Sequence, residues 1–174
     1  MTIAIRPART VDIPAITHIY AHAVEHGTAS FELTPPDIAE MARRMDDLVG
    51  NGFPYLVAEA GGALAGYAYA APYRTRPAYR YTVENSVYIA RDHRRRGVGR
   101  ALLAALIEAC AAQGFRQMIA VIGDSTKQAA SIGLHEALGF HHVGILADVG
   151  FKQGRWLDSV LMQRTLGPGA STSP

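Results

Sequence analysis

The sequence predicts one α/β domain, a sheet with helices packed on it, on three observations. Val83 to Ile89 alternates as a strand, and a short polar turn then leads into a helix opened by Gly97-Val98-Gly99. Helical-period and extended segments succeed one another in the order β-α-α-β-β-β-α-β-α-β-β, with no internal repeat and no dividing linker. The 174 residues, 49% hydrophobic and 18% charged, suit a soluble domain with a real core.

Taken in order, residues 2–6 form a first strand. Thr10 is expected to cap a helix from Val11 to Glu25, with Ile13, Ile16, Ile19, Tyr20 and Val24 at helical spacing. Gly27 ends that helix, residues 28–32 form a loop, and Thr34 with Pro35 and Pro36 starts a second helix that runs to Val49. Pro54 to Ala60 and Leu64 to Ala71 are strands joined by a tight Gly61-Gly62 turn. Tyr73 to Arg80 is a loop. After the central strand, apolar positions recur from Leu102 through Leu103, Leu106 and Ile107 to Ala109, and Gly114 closes that helix. Gln117 to Ile122 is a strand and Ala129 to Leu138 a helix. His142 to Val149 and Trp156 to Arg164 form an antiparallel pair joined by residues 150–154. Residues 1–166 make the domain, and the Gly/Pro/Ser/Thr-rich residues 167–174 are expected to be a disordered tail.

Composition bounds the function. A net charge of +2 is too small to suggest nucleic-acid binding, and acidic residues are spread along the chain. No apolar run reaches the roughly 18 residues a membrane span needs. The single cysteine, Cys110, cannot form an internal disulfide and lies in an apolar helical pattern, so a reducing, cytoplasmic setting and a buried thiol are expected. His18, His22 and His26 share a helix face at metal-capable spacing. No carboxylate or cysteine accompanies them, so they read as a solvated helix edge and no metal is expected.

The chemistry gathers at the strand–turn–helix. The first N–H groups of a helix lack internal partners, and the macrodipole adds positive potential there. With Arg94, Arg95, Arg96 and Arg100 around Gly97, Val98 and Gly99, that end suits a pyrophosphate. It is no Walker loop, since no Gly-Lys-Ser/Thr follows. A dinucleotide fingerprint needs a third glycine where this chain has Leu102.

The pattern Arg94-x-x-Gly97-x-Gly99 resembles the acyl-CoA signature of the GCN5-related N-acetyltransferases (GNAT), and the resemblance runs from about Ile3 to Leu166. It implies a mixed, mostly antiparallel twisted sheet of about seven strands with helices on both faces. Acetyl-CoA would be the cosubstrate, with the backbone of Val87, Tyr88 and Ile89 pairing with its pantetheine arm. The segment Ser131 to Phe140 resembles the family's closing helix. Gln128, on a longer loop, is the nearest match to an Asn that contacts the cofactor there, and Ser131 lies in the same segment. His135 takes the place of a Tyr or His near the sulfur, so it would protonate the departing thiolate.

Three further segments look like the phosphinothricin acetyltransferase group, which also contains methionine sulfoximine and methionine sulfone acetyltransferases. They are Tyr81 to Tyr88 (YTVENSVY), Ala130 to His135 (ASIGLH) and Val149 to Asp158 (VGFKQGRWLD). The resemblance places the general base at Glu84. An ordinary carboxyl of pKa about 4.3 matches an ammonium poorly unless burial raises it or water relays the proton. Arg74, Thr75 and Arg76 match the substrate segment, where guanidinium groups suit an anionic amino acid. Asn85 and Ser86 line the same pocket, with Phe31 and Tyr79 as its walls. A small-molecule amine is the expected partner, with direct attack in a ternary complex and a homodimeric assembly. The alternatives are another acceptor (a polyamine, another amino acid or a protein N-terminus) and a CoA-binding domain without catalysis.

Overall fold

The structure is a computed structural model and describes residues 2–174. Seven strands form one sheet: β1 (Ile3–Pro7), β2 (Tyr55–Ala60), β3 (Ala63–Pro72), β4 (Thr82–Ile89), β5 (Gln117–Gly123), β6 (His141–Lys152) and β7 (Arg155–Thr165). Their order is β1-β2-β3-β4-β5-β7-β6, and every neighbouring pair is antiparallel except β4 and β5. Four α-helices cover it: α1 (Ile13–His26), α2 (Ile38–Gly50), α3 (Val98–Ala112) and α4 (Ala129–Ala137). The mixed, mostly antiparallel architecture expected from the sequence is the one observed.

Strand alternation divides the core in two. On one face Val83, Leu102, Leu103, Leu106, Met118 and Met162 pack around α3, joined by Ile132 and Leu134 of α4. Burying each large aliphatic side chain contributes about 1.5–3 kcal/mol. Ala68 and Ala70 of β3 also face α3, and their small side chains let the helix lie close. On the other face Ile13, Ile16, Tyr20, Met41, Tyr55 and Tyr67 pack under α1 and α2. Cys110 is fully buried in α3 and its thiol is pushed up to about 12 by that burial. Among the described residues no helix is long and apolar enough to cross a membrane.

Several boundaries differ from the sequence reading. Residues Thr10–Asp12 form a 3-10 turn before α1, and Asp12 rather than Thr10 is the anchor: it accepts from Arg9 N at 2.8 Å and pairs with Arg6 at 2.7 Å. Helix α2 begins at Ile38, three residues beyond Pro35, because Asp37 caps it by accepting from Glu40 N at 2.8 Å. The β6–β7 hairpin is longer than expected. Gly150, Phe151 and Lys152 pair with Leu157, Trp156 and Arg155, leaving only Gln153 and Gly154, both at positive φ, as the turn. After β7, residues 167–170 form turns, and Arg116 donates to Gly169 O, Thr172 Oγ1 and Ser173 O at 3.2–3.4 Å.

Candidate active site

The site is built on a fork in the sheet. Pairing between β4 and β5 covers only Thr82 to Asn85 against Gln117 to Ala120. Beyond that point β5 stays paired with β7, and β4 with β3, so the two strands part. The backbone of residues 86–89 therefore has no strand on its β5 side. A cleft of about 580 Å3 opens there, walled by Ser86, Val87, Tyr88 and Ile89 on one strand and Ala120, Val121 and Ile122 on the other.

The glycine turn closes one end of the cleft. Gly97 is the residue before α3 and has φ 85°, a left-handed conformation that an L side chain resists. Gly99 is needed for a different reason: a Cβ there would stand 3.2 Å from Leu134 Cδ2, so glycine lets α3 and α4 meet. No side chain caps α3, which leaves its first N–H groups free for an anion. Arg94, Arg95 and Arg100 line the cleft at this end. Arg96 is exposed and outside it, and the Val98 side chain is 1% exposed in the core, so only its backbone can serve.

Gln128, the residue before α4, and Ser131, within it, also line the cleft. Sequence reasoning missed Lys127 and His93, which also line the cleft. Lys127 adds a positive charge on the loop before α4; no motif marks it. His93 ends the 3-10 turn before Arg94, and its Nδ1 is buried without a partner among the described residues.

At the fork itself, Asn85 is the last β4 residue paired to β5. Its Nδ2 donates to Ile119 O at 3.1 Å, which fixes its amide and turns Oδ1 toward His135 Nε2 at 3.0 Å. The other ring nitrogen, Nδ1, lies 2.8 Å from Ser131 O. A neutral imidazole carries one N–H and faces two acceptors, and only the protonated ring satisfies both. Burial nevertheless holds the pKa of His135 below its ordinary value, against the pull of the Ser131 carbonyl. The ring touches the cleft wall yet is only 4% exposed. The neutral ring thus has a single N–H to share between Asn85 Oδ1 and Ser131 O.

Glu84 and Ser86 sit on the other face of β4, with Tyr88, toward α1 and α2. Burial pushes the Glu84 carboxyl above its ordinary pKa. That is the direction a base for an ammonium needs. The other expected substrate residues divide. Arg74, Thr75, Arg76 and Tyr79 line a groove of about 410 Å3 just beyond the β3–β4 ends, separate from the cleft. The Arg74 guanidinium lies 5.1 Å from the Tyr73 ring centroid. Phe31 is elsewhere: its ring packs on Gly123 and Gly150, where a Cβ on Gly123 would come within 2.5 Å of it.

Phe31 belongs to a strap, residues 28–32, fastened over the ends of β5 and β6. Asp124, at φ 62° and 1% exposed, accepts from Thr28 Oγ1 at 2.5 Å, Thr126 Oγ1 at 2.6 Å and the Arg155 guanidinium. Burial opposes ionisation, but these donors outweigh it and hold Asp124 at about 2. Lys152, 6% exposed, donates to Ser30 O at 2.7 Å. Nothing in the local sequence flagged this cluster, because its members are far apart along the chain.

A forked sheet beside an uncapped, arginine-flanked helix N-terminus is the architecture of an acyl-CoA-dependent transferase. Comparison with known proteins agrees. The acetyltransferase (GNAT) domain family matches residues 5–161. The phosphinothricin N-acetyltransferase of Alcaligenes faecalis is 56% identical over 98% of this chain and 86% of its own length. The L-methionine sulfoximine/L-methionine sulfone acetyltransferase of Pseudomonas aeruginosa is 44% identical over 98% of this chain and 99% of its own. A crystal structure of a phosphinothricin acetyltransferase from Sinorhizobium meliloti in complex with AcCoA superposes with a TM-score of 0.97 at 50% identity, covering 100% of this chain and 94% of that one. The chain belongs to the GNAT acetyltransferase family.

Proposed function

We propose that this enzyme moves the acetyl group of acetyl-CoA to the α-amine of a small amino-acid-like acceptor of the phosphinothricin, methionine sulfoximine or methionine sulfone type. The observation that carries the reading is the partly buried Glu84 beside a fork that leaves one edge of β4 unpaired. The pyrophosphate lies at the α3 N-terminus among Arg94, Arg95 and Arg100, and the pantetheine arm pairs with the free edge of residues 86–89. An N–H of that edge polarises the thioester carbonyl and holds the oxyanion. Glu84 takes the proton from the ammonium, directly or through water, and the amine attacks the carbonyl. The C–S bond then breaks, CoA leaves as the thiolate, and the second proton shed by the acylated nitrogen passes through solvent to neutralise it. A thiol of ordinary pKa about 8.5 leaves near neutral pH without an obligatory acid. His135 therefore enters as the group that positions Asn85, not as the acid. Arg74 and Arg76 receive the acceptor carboxylate.

The assembly is a homodimer in the reducing cytoplasm, formed through β6 and β7. That hairpin presents Ile145, Val149 and Phe151 on the edge strand β6 and Trp156 on β7, each more than half exposed. Acetylation of a toxic acceptor of this type would confer resistance to it. The test is thiol release from acetyl-CoA against phosphinothricin, methionine sulfoximine, methionine sulfone, ordinary amino acids, spermidine and a short peptide. Turnover with the first three supports the reading. Turnover with spermidine or peptide alone overturns the acceptor assignment, and silence with every amine overturns the activity.

A further inference from the structure

A second pocket, of about 300 Å3 and separate from the cleft, lies on the α1/α2 face of the sheet. Its walls are Tyr20, Tyr55, Tyr67, Tyr69, Met41 and Leu48. At about 30 Å3 per water it has room for roughly ten waters, ample for an unbranched amino-acid side chain.

Strand register joins this pocket to the reaction. Ala71, which also lines it, is the cross-strand partner of Glu84, and Tyr69 is the partner of Ser86. Directly opposed residues point to one face with Cβ atoms about 4.5–5.5 Å apart. The pocket wall at Ala71 is therefore the cross-strand neighbour of Glu84 on the same face of the sheet, with only a methyl side chain standing at that position. An acceptor with its amine at Glu84 and its carboxylate toward Arg74 has this pocket for its side chain.

Two features select what the pocket takes. First, it offers no spare positive charge. Arg44 at its rim is held by Glu32 at 2.6 Å and Glu40 at 2.7 Å. The rim acid Asp47 is paired with Arg43, which also binds Glu40. Arg44 and Asp47, the charged residues that line the pocket, are thus both engaged in ion pairs, so an anionic head meets no free cation there. Second, the hydroxyl of Tyr67, a pocket wall, is buried and has no hydrogen-bond partner among the described residues. A buried donor of this kind gains by meeting an acceptor oxygen.

We propose that the tyrosine-lined pocket receives the acceptor side chain and selects an uncharged head bearing an acceptor oxygen, as in a sulfone or sulfoximine, over an anionic phosphinate. This rests on the acetyltransferase reading above. The test is steady-state kinetics with L-methionine, L-methionine sulfone, L-methionine sulfoximine and phosphinothricin on the parent, Tyr67→Phe and Ala71→Leu. In the parent, kcat/KM for the sulfone should exceed that for phosphinothricin about tenfold. Tyr67→Phe should raise the KM of the sulfone about fivefold and leave that of L-methionine, which lacks the oxygens, within about twofold. Ala71→Leu should raise the KM of every acceptor about tenfold with the KM of acetyl-CoA unchanged. Equal shifts for sulfone and methionine, or a preference for phosphinothricin, overturn the selection. Turnover indifferent to both substitutions overturns the pocket's role while leaving the activity intact. Absence of turnover with every acceptor overturns the acetyltransferase reading and this inference with it. Should Tyr67→Phe fold poorly, Ala71→Leu carries the pocket test by itself.

Discussion

At the scale of single residues, Glu84 and His135 are opposite cases of burial acting on a titratable group. Burial raises the Glu84 pKa, so the base is unprotonated only above the ordinary carboxylate range near about 4.3. The acidic limb of kcat/KM should lie above that value. Glu84→Gln should remove the limb and lower kcat by about 10^2–10^4-fold, with acetyl-CoA binding retained in equilibrium titration. Near-normal turnover in the variant would take Glu84 out of the mechanism. Burial lowers the His135 pKa, so below the unfolded value of about 6.5 the unfolded chain binds a proton that the folded one resists. The stabilisation is full above that pH and is lost as pH falls through the lower folded pKa. Melting temperatures between pH 7.5 and 5.5 should fall in the parent and fall less in His135→Gln. An identical slope would show that another group titrates. Glu84 was legible because its motif is contiguous. The engagement of His135 was not, because Asn85, 50 residues away, is brought to it only by the sheet.

At the scale of elements, what matters is how few residues set the fork and the cradle. Gly97→Ala must place an L side chain at φ 85° and should cost roughly 1–2 kcal/mol in denaturant unfolding. Gly99→Val should act differently, pressing on Leu134 and moving α4 off α3. Its expected signature is a raised KM for acetyl-CoA at an unchanged acceptor KM. Equal KM changes for both substrates would place the damage elsewhere. The strand–turn–helix could be read from the sequence because alternation, helical spacing and glycine all point the same way within 21 residues of chain, from Val83 to Leu103. The start of α2 could not. Thr34 and two prolines form a local start signal, yet Asp37 makes the capping bond, and Pro36 disfavours helix in the residue before it. The long β6–β7 hairpin was hidden for another reason. Glycines at 150 and 154 suggest a five-residue loop, whereas cross-strand pairing with β7 decides the register.

For the whole molecule, the proposed dimer follows from an edge strand that is apolar where a monomer needs charge. Sedimentation should give the mass of two chains, and Ile145→Glu combined with Phe151→Glu should give one. A monomeric parent would overturn the assembly. The two layers of core were legible from apolar spacing, but the tyrosine pocket was not, since the alternation of alanine and tyrosine in β3 reads equally as packing. Cys110 leads somewhere else. Fully buried, with a thiol whose ionisation is pushed to about 12, it is inert to electrophiles while the chain is folded. A thiol-reactive dye therefore counts only the coenzyme released, with no blank to subtract for the catalyst. In denaturant the same reagent should register one equivalent per chain, so this cysteine is a built-in reporter of the fraction unfolded.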